Sequence, residues 1–155
     1  MKSSASVVSL LMTKSPLTVA LEAKLLYNSR FKRETNRLAM TNTEEIKKRY
    51  LQDTLAVRMG NLASNLLHIR TLSRMRKDKL AFVNLIEESQ FFIEWTALEY
   101  EISITAELID IQRLLAKWKL KVDAIWDDPV TLNAVGDEAK EISNYLVIKS
   151  GLLDQ

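Results

Sequence analysis

The sequence predicts an all-α fold, an antiparallel bundle of about four helices preceded by an N-terminal helix or extension. Three stretches repeat apolar residues at alternating steps of three and four, which is typical of helices packed lengthwise on one another. Three Gly and two Pro in 155 residues are too few for the many turns of an all-β fold. The pattern therefore favours helices joined by short connections.

The most regular repeat lies between residues 104 and 125, and it advances by steps of 4, 3, 4, 3, 4 and 3. Burial of side chains of this size contributes roughly 1.5–3 kcal/mol each, so the stripe is worth about 10–20 kcal/mol before conformational entropy is subtracted. We expect this helix to organise the bundle. The members of the repeat are Ile104, Leu108, Ile111, Leu115, Trp118, Val122 and Ile125.

A second repeat predicts a long helix in the middle of the chain. Thr41 and Glu44 have the spacing of a capping box, so we expect one helix from Thr41 to about Leu72. Gly60 lies inside it, where a glycine either admits a neighbouring helix closely or marks a kink. The apolar members of this repeat are Leu51, Leu55, Met59, Leu62, Leu66 and Ile69.

The polar stretch 71–79 predicts a connection to the next helix. Ser73 and Asp78 are its two candidate N-caps. We expect a helix over residues 79–95, with apolar residues on one side and further apolar residues beside them. The first group is Leu80, Val83, Ile86 and Ile93, and the second is Phe82, Leu85 and Phe92.

The stretch 98–104 has two interpretations. Apolar and polar residues alternate there, as in a half-buried strand, but no partner strand is found elsewhere in the sequence. A single helix over 79–126 would be about 70 Å long, which is too long to pack within a domain of this size. We therefore expect a bend near residues 96–101 and a helix over 100–126, while helix, bend and strand all stay open for 98–104.

The last helix has the clearest boundaries. Asp128 and Pro129 are a typical N-cap and first helical residue, and Gly151 stands where a terminating glycine is expected. The short joint before it makes the last two helices antiparallel neighbours. Its apolar repeat is Leu132, Val135, Ala139, Ile142 and Leu146.

Residues 1–40 are predicted to be an extension of the bundle domain 41–155, either helical over 16–37 or partly disordered. A helix over 16–37 fits the leucines that recur there every four residues. Up to Glu22 the chain holds no acidic residue and five serines, which also suits an organelle transit peptide. We favour a plain extension and a cytoplasmic protein, with organelle targeting as the consequence of the transit-peptide interpretation. No apolar run reaches the ~18–20 residues of a membrane span.

The sequence contains no signature of catalytic, metal-binding or cofactor-binding chemistry. The absence of Cys excludes disulfides, thiolate catalysis, zinc fingers and iron–sulfur clusters. The only histidine is His68, and Asn65 precedes it where a di-iron bundle needs Glu. HEPN ribonucleases are also small helical bundles, but their arginine–histidine motif is missing because the nearest upstream arginine is Arg58. We predict that the chain is not an enzyme.

Two groups of charged residues invite functional hypotheses. A series of glutamates between residues 87 and 107 invites a metal or paired-acid site, although acids strung along a helix more commonly form a solvated face. A basic segment is the candidate contact with phosphates or an acidic partner, because Arg70, Arg74 and Lys77 have the spacing of one helical face. It consists of Arg70, Arg74, Arg76, Lys77 and Lys79.

Three aromatic residues fall off the apolar repeats and are candidate anchors for a partner: Phe91, Trp95 and Trp126. The alternative interpretation is that they fill gaps between helices.

Charge is distributed in blocks along the chain. Residues 43–83 hold nine basic and four acidic residues, and 84–110 hold seven acidic and no basic residue. Residues 111–122 are purely basic in charge, and the tail from residue 123 is acidic. Complementary blocks favour contacts within a bundle or between subunits. We predict an interaction or regulatory protein that binds proteins and forms a homo-oligomer. The alternative is a helical subunit of a nucleic-acid-binding complex that uses the basic segment.

Overall fold

The computed structural model describes Arg33 and residues 42–154. The chain divides into two units, Met1–Ile46 and Lys47–Gln155. In the first unit, residues 42–46 are described and are helical. The second unit contains the bundle.

The predicted extension 1–40, with its helix at 16–37, lies outside the described residues apart from Arg33. Thr41, the first residue of the predicted capping box, also lies outside them. The division into 1–40 and 41–155 therefore stays a prediction.

The described part of the chain is all-helical and holds no strand, which confirms the predicted fold class. After the helical residues 47–50 come five helices, α1 to α5, with a 3₁₀ turn between α2 and α3 and another after α5. The helices are α1 Leu55–Met75, α2 Lys79–Thr96, α3 Ile102–Leu120, α4 Val122–Asp127 and α5 Pro129–Ser150, and the turns are Ala97–Glu99 and Leu152–Asp154.

Helix α1, and not α3, is the centre of the bundle. It packs most extensively on α5 and next on α2, whereas α3 packs mainly on α2. The expectation that the 104–125 stretch organises the fold is therefore wrong, although its middle is core. Leu108, Ile111, Leu115, Trp118 and Ile125 are buried as predicted.

Small residues let α1 and α5 approach closely. A Cβ added at Gly136 of α5 would stand 1.9 Å from the Ser73 Oγ of α1. Farther along, the Ser143 hydroxyl donates to the Ala63 carbonyl at 2.6 Å. Residue 136 of α5 thus lies beside residue 73 of α1, and residue 143 lies beside residue 63. Because the two numberings run in opposite directions, the helices are antiparallel. Gly60, by contrast, faces the flexible end of Leu152 and does not make the close approach.

The predicted single helix from Thr41 to Leu72 is interrupted at residues 51–54. The Thr54 side chain accepts from the Val57 amide at 3.3 Å and caps α1. Arg58 folds back over the break, and its guanidinium donates to the carbonyls of Leu51 at 2.6 Å and Asp53 at 2.8 Å. The apolar repeat is buried from Met59 onward.

Arg58 also joins the break to a distant turn. Its Nη1 lies 3.0 Å from the Glu99 carboxylate, 41 residues later in the chain. The arginine is 8% exposed, so the three contacts of its guanidinium are made largely out of water. Tyr50 also links the two sides of the interruption at residues 51–54, because its buried hydroxyl donates to the Arg58 carbonyl at 3.1 Å.

The connection between α2 and α3 is a bend, not a strand. The Thr96 hydroxyl bonds to the Phe92 carbonyl at 2.7 Å as α2 ends, and the 3₁₀ turn Ala97–Glu99 follows. Tyr100 is extended, and the Thr105 hydroxyl reaches back to the Ala97 carbonyl at 2.6 Å. Leu98 belongs to the apolar–polar alternation that suggests a strand, and it is exposed to solvent.

The other boundaries follow local capping chemistry. Asp78 caps α2 by accepting from the Ala81 amide at 2.8 Å. Asp128 caps α5, with Pro129 as its first residue, and Gly151 ends it with a φ of 70°. The predicted helix 100–126 is divided at Lys121 into α3 and α4. Helix α2 buries most of its predicted apolar residues, since Ile86, Ile93, Phe82 and Phe92 are buried. Leu80 is the exception and is 70% exposed.

Replacing Arg58 with Ala should lower the free energy of unfolding by about 2–3 kcal/mol, because two partly buried carbonyls lose a charged donor that is itself buried. Glu99→Ala should cost less than about 1 kcal/mol, since half of that side chain is exposed and water replaces its partner. Chemical denaturation measures both. Equal losses for the two variants would contradict the role assigned to Arg58.

The two helical glycines should respond oppositely to alanine. Gly136→Ala should destabilise the protein by about 1–3 kcal/mol, because its Cβ collides with Ser73. Gly60→Ala should be neutral or stabilise by up to about 1 kcal/mol, since the Leu152 side chain can move and alanine favours helix. The measurement is again denaturation, and Ser73→Gly should relieve the loss caused by Gly136→Ala.

Candidate interaction surfaces

The basic segment stands at the end of α1 and beside the start of α5. Arg74 lies 2.8 Å from the Asp137 carboxylate, and Arg70 lies 3.7 Å from the same oxygen. Both pairs join α1 to α5. Because the Asp137 side chain is 53% exposed, water screens these pairs and their contribution to stability is small.

The other cations of the segment also meet groups of the bundle. The Arg76 guanidinium donates to the Asp127 carbonyl at 3.2 Å, and the Lys79 ammonium lies 2.6 Å from Asp123. Arg76 adopts a left-handed conformation with a φ of 48° and ends α1 without a glycine. Lys77 therefore lies beyond the helix, so it does not extend the face of Arg70 and Arg74 as predicted.

The three predicted aromatic anchors are in different environments. Trp126 packs on buried Phe82 with ring centroids 5.4 Å apart, so it fills the space between α4 and α2. Phe91 is 39% exposed and stacks on Trp95, with centroids 5.6 Å apart and planes at 16°. Trp95 is half-buried, and the Lys47 ammonium lies 6.0 Å from its ring centroid.

Tyr50 supports this aromatic group and was not predicted from the sequence. Its ring stacks on Phe92 at 4.0 Å and lies 5.9 Å from Trp95. Burial raises the pKa of the Tyr50 phenol well above its usual range. Tyr50 lies off every apolar repeat, so periodicity could not identify it. Together, Tyr50, Phe91, Phe92 and Trp95 form what we term the aromatic cluster.

A groove of about 270 Å³ runs between α2 and α3 beside Phe91. Lys119 spans it to reach the Glu87 carboxylate at 2.9 Å. The Gln112 Oε1 atom is buried there and accepts no hydrogen bond from any described residue. The α2/α3 groove is lined by Glu87, Gln90, Phe91, Glu94, Gln112 and Lys119.

A second groove, of about 340 Å³, separates α3 from α5. It exists because these two helices make few close contacts. The Tyr145 hydroxyl donates to the Glu107 carboxylate across its end, and this hydrogen bond raises the pKa of Tyr145. The α3/α5 groove is lined by Glu107, Asp110, Ile111, Glu141, Ile142 and Tyr145.

The carboxylates of the glutamate series do not converge. Glu87 and Glu94 line one groove and Glu107 the other, while Glu88 accepts from Asn65 at 2.9 Å and Glu99 from Arg58. Within residues 42–154, no three His, Asp or Glu side chains are placed to share a metal ion. His68 is exposed on α1.

Comparison with known proteins places the chain in no family: no family model, curated protein or solved structure matches it. None of the helices that the structure describes has both the length and the apolar composition needed to cross a bilayer.

Replacing Gln112 with Leu should raise the free energy of unfolding by about 1 kcal/mol, because it removes a buried acceptor that lacks a donor. Gln90→Leu is the matched control in the same groove and should change stability by less than about 0.5 kcal/mol. Thermal and chemical denaturation provide the readout. A destabilised Gln112→Leu protein would show that the amide makes a needed contact.

Proposed function

We propose that this chain is a non-enzymatic helical-bundle protein that acts through contacts with other proteins and also self-associates. The observation that carries the proposal is the placement of Phe91, an exposed aromatic residue held by stacking at the rim of the α2/α3 groove. The proposal keeps a cytoplasmic location, with which the cysteine-free sequence is compatible.

The aromatic cluster supports a role as a binding anchor. Phe91 is already ordered by Trp95, and Trp95 in turn contacts Tyr50 and Phe92. A side chain that is fixed before binding loses little conformational entropy when a partner covers it. Aromatic anchors beside a groove account for much of the affinity at protein interfaces. Trp126 is not part of this surface, because it is engaged with Phe82.

The charge of the surface indicates the chemistry of its partner. Glu87 and Glu94 line the groove, and Lys119 pairs with Glu87. Helix α2 carries one basic residue, Lys79, at its far end. Lys47 already lies near the Trp95 ring, which indicates that this ring accepts a cation. A helix with basic residues beside an apolar stripe fits such a surface.

The nucleic-acid alternative has less support. Arg70, Arg74 and Lys79 are engaged with Asp137 and Asp123, so a phosphate would have to compete with these carboxylates. RNA or DNA binding that weakens steeply with salt and is lost in the triple variant R70E/R74E/K77E would favour it. Asp137→Ala is the control, since it breaks the internal pairs without reversing a charge of the segment.

A photo-crosslinking amino acid at Glu94 should capture a protein partner in cells, whereas the same group at exposed Ser64 of α1 should not capture it. With that partner purified, Phe91→Ala should weaken binding about 10-fold or more, as loss of an interface anchor does. Leu67→Ala is the matched control, because Leu67 is 47% exposed but lies on α1.

Equal capture from positions 94 and 64, or binding by Phe91→Ala within about two-fold of the unchanged protein, would remove the α2/α3 groove as the binding surface. Measurement by isothermal calorimetry gives the affinities directly. Circular dichroism confirms that both variants stay folded.

A further inference from the structure

Helix α3 carries a second heptad-like repeat on the side opposite its buried stripe. Its members advance by steps of 4, 3, 4, 3 and 4, and every one of them is exposed. Ile102 is 90% exposed, Leu120 85% and Ile109 41%. A repeat averaging 3.5 residues that faces water on an already packed helix is typical of a contact with a further helix. This outer stripe consists of Ile102, Ala106, Ile109, Arg113, Ala116 and Leu120.

We propose that two copies of the chain associate through the outer stripe, with their α3 helices antiparallel. The inference rests on the self-association in the proposed function and names its surface and register. The stripe is symmetric about its midpoint. Ile102 then packs on Leu120 of the second copy, and Ala106 packs on Ala116 of the second copy. The facing alanines let the helix axes approach to the short end of the usual 8–10 Å.

The charges of α3 decide the orientation. The first half of the helix and the residue before it are acidic, and the second half with the residue after it is basic. Parallel pairing sets like charges side by side, whereas antiparallel pairing sets opposite charges together. In a parallel pair Arg113 would face Arg113 of the second copy, whereas in the antiparallel pair it faces Ile109. The acids are Glu101, Glu107 and Asp110, and the bases are Arg113, Lys117, Lys119 and Lys121.

The centre of the contact joins an apolar side chain to a charged pair. Arg113 lies 3.0 Å from Asp110 of its own helix, and both side chains are about three-quarters exposed. In the antiparallel register the Arg113 stem lies on Ile109 of the second copy, and its guanidinium lies between two Asp110 carboxylates. The four central charges then alternate in sign and neutralise one another.

The surroundings of α3 leave the outer stripe accessible. The α2/α3 groove lies on one side of the helix and the α3/α5 groove on the other, so α3 forms a ridge. A second copy is the occupant that the stripe itself specifies, because the same residues in reverse order supply both the apolar fit and the opposite charges. An unrelated helix would have to reproduce that reversed order.

Sedimentation analysis at micromolar concentrations should give twice the 17.8 kDa mass of one chain. The double variant A106E/A116E should weaken dimerisation about 10-fold or more, because it places charge where the helices meet. Ala134→Glu, an exposed alanine within α5, is the matched control and should remain dimeric. A monomeric unchanged protein, or a double variant that dimerises normally, overturns the proposal.

Cysteine crosslinking tests the register, and the chain has no cysteine of its own. Ile102→Cys protein mixed with Leu120→Cys protein should crosslink with a short bismaleimide, while neither variant alone should do so. Crosslinking of either variant alone would establish parallel helices and overturn the antiparallel register.

The proposed self-association surface and the proposed partner surface can be tested independently. A106E/A116E should bind the partner captured from position 94 as well as the unchanged protein does, and Phe91→Ala should dimerise normally. Normal partner binding by Phe91→Ala would therefore contradict the α2/α3 groove as the partner surface and leave the dimer proposal standing. Normal dimerisation of A106E/A116E would contradict the outer stripe as the dimer contact and leave the partner proposal standing.

Discussion

The close approach of α1 and α5 is the constraint on which the rest of the bundle depends. Gly136 leaves room for Ser73, and the Ser143 hydroxyl reaches the Ala63 carbonyl in a buried contact. Small residues at these positions bring two backbones together and exclude water along the seam. Because α1 is occupied by α5 on one side and α2 on the other, α3 must pack on α2. The space between α3 and α5 then remains as a groove.

This arrangement explains where interaction surfaces can exist on the described part of the chain. Helix α3 uses one face for the core and presents the opposite face, with a groove on each side, to solvent. Helix α2 presents Phe91 at the edge of one of these grooves. The two proposed surfaces are thus neighbours, yet they use different residues, so partner binding and self-association can be separated by substitution.

Charge blocks along the sequence correspond to interhelical ion pairs. Arg58 meets Glu99, Arg74 meets Asp137, and Lys119 meets Glu87, and each of these pairs joins a basic block to an acidic one. Most of these groups are partly exposed, so they contribute little to the free energy of unfolding and more to the choice of neighbouring helices. Arg58 differs because it is buried and satisfies backbone carbonyls as well.

The sequence by itself determined the all-helical class, several helix ends and the middle of the α3 core stripe. Asp78, Asp128 and Gly151 end or begin helices through contacts with residues a few positions away, so local pattern suffices to find them. Only the tertiary structure decided that α1 is central, that residues 51–54 break a helix, and that the basic segment meets carboxylates. These outcomes depend on partners such as Glu99 and Asp137, which lie 41 and 63 residues away in the chain from Arg58 and Arg74. Periodicity carries no information about such distant contacts.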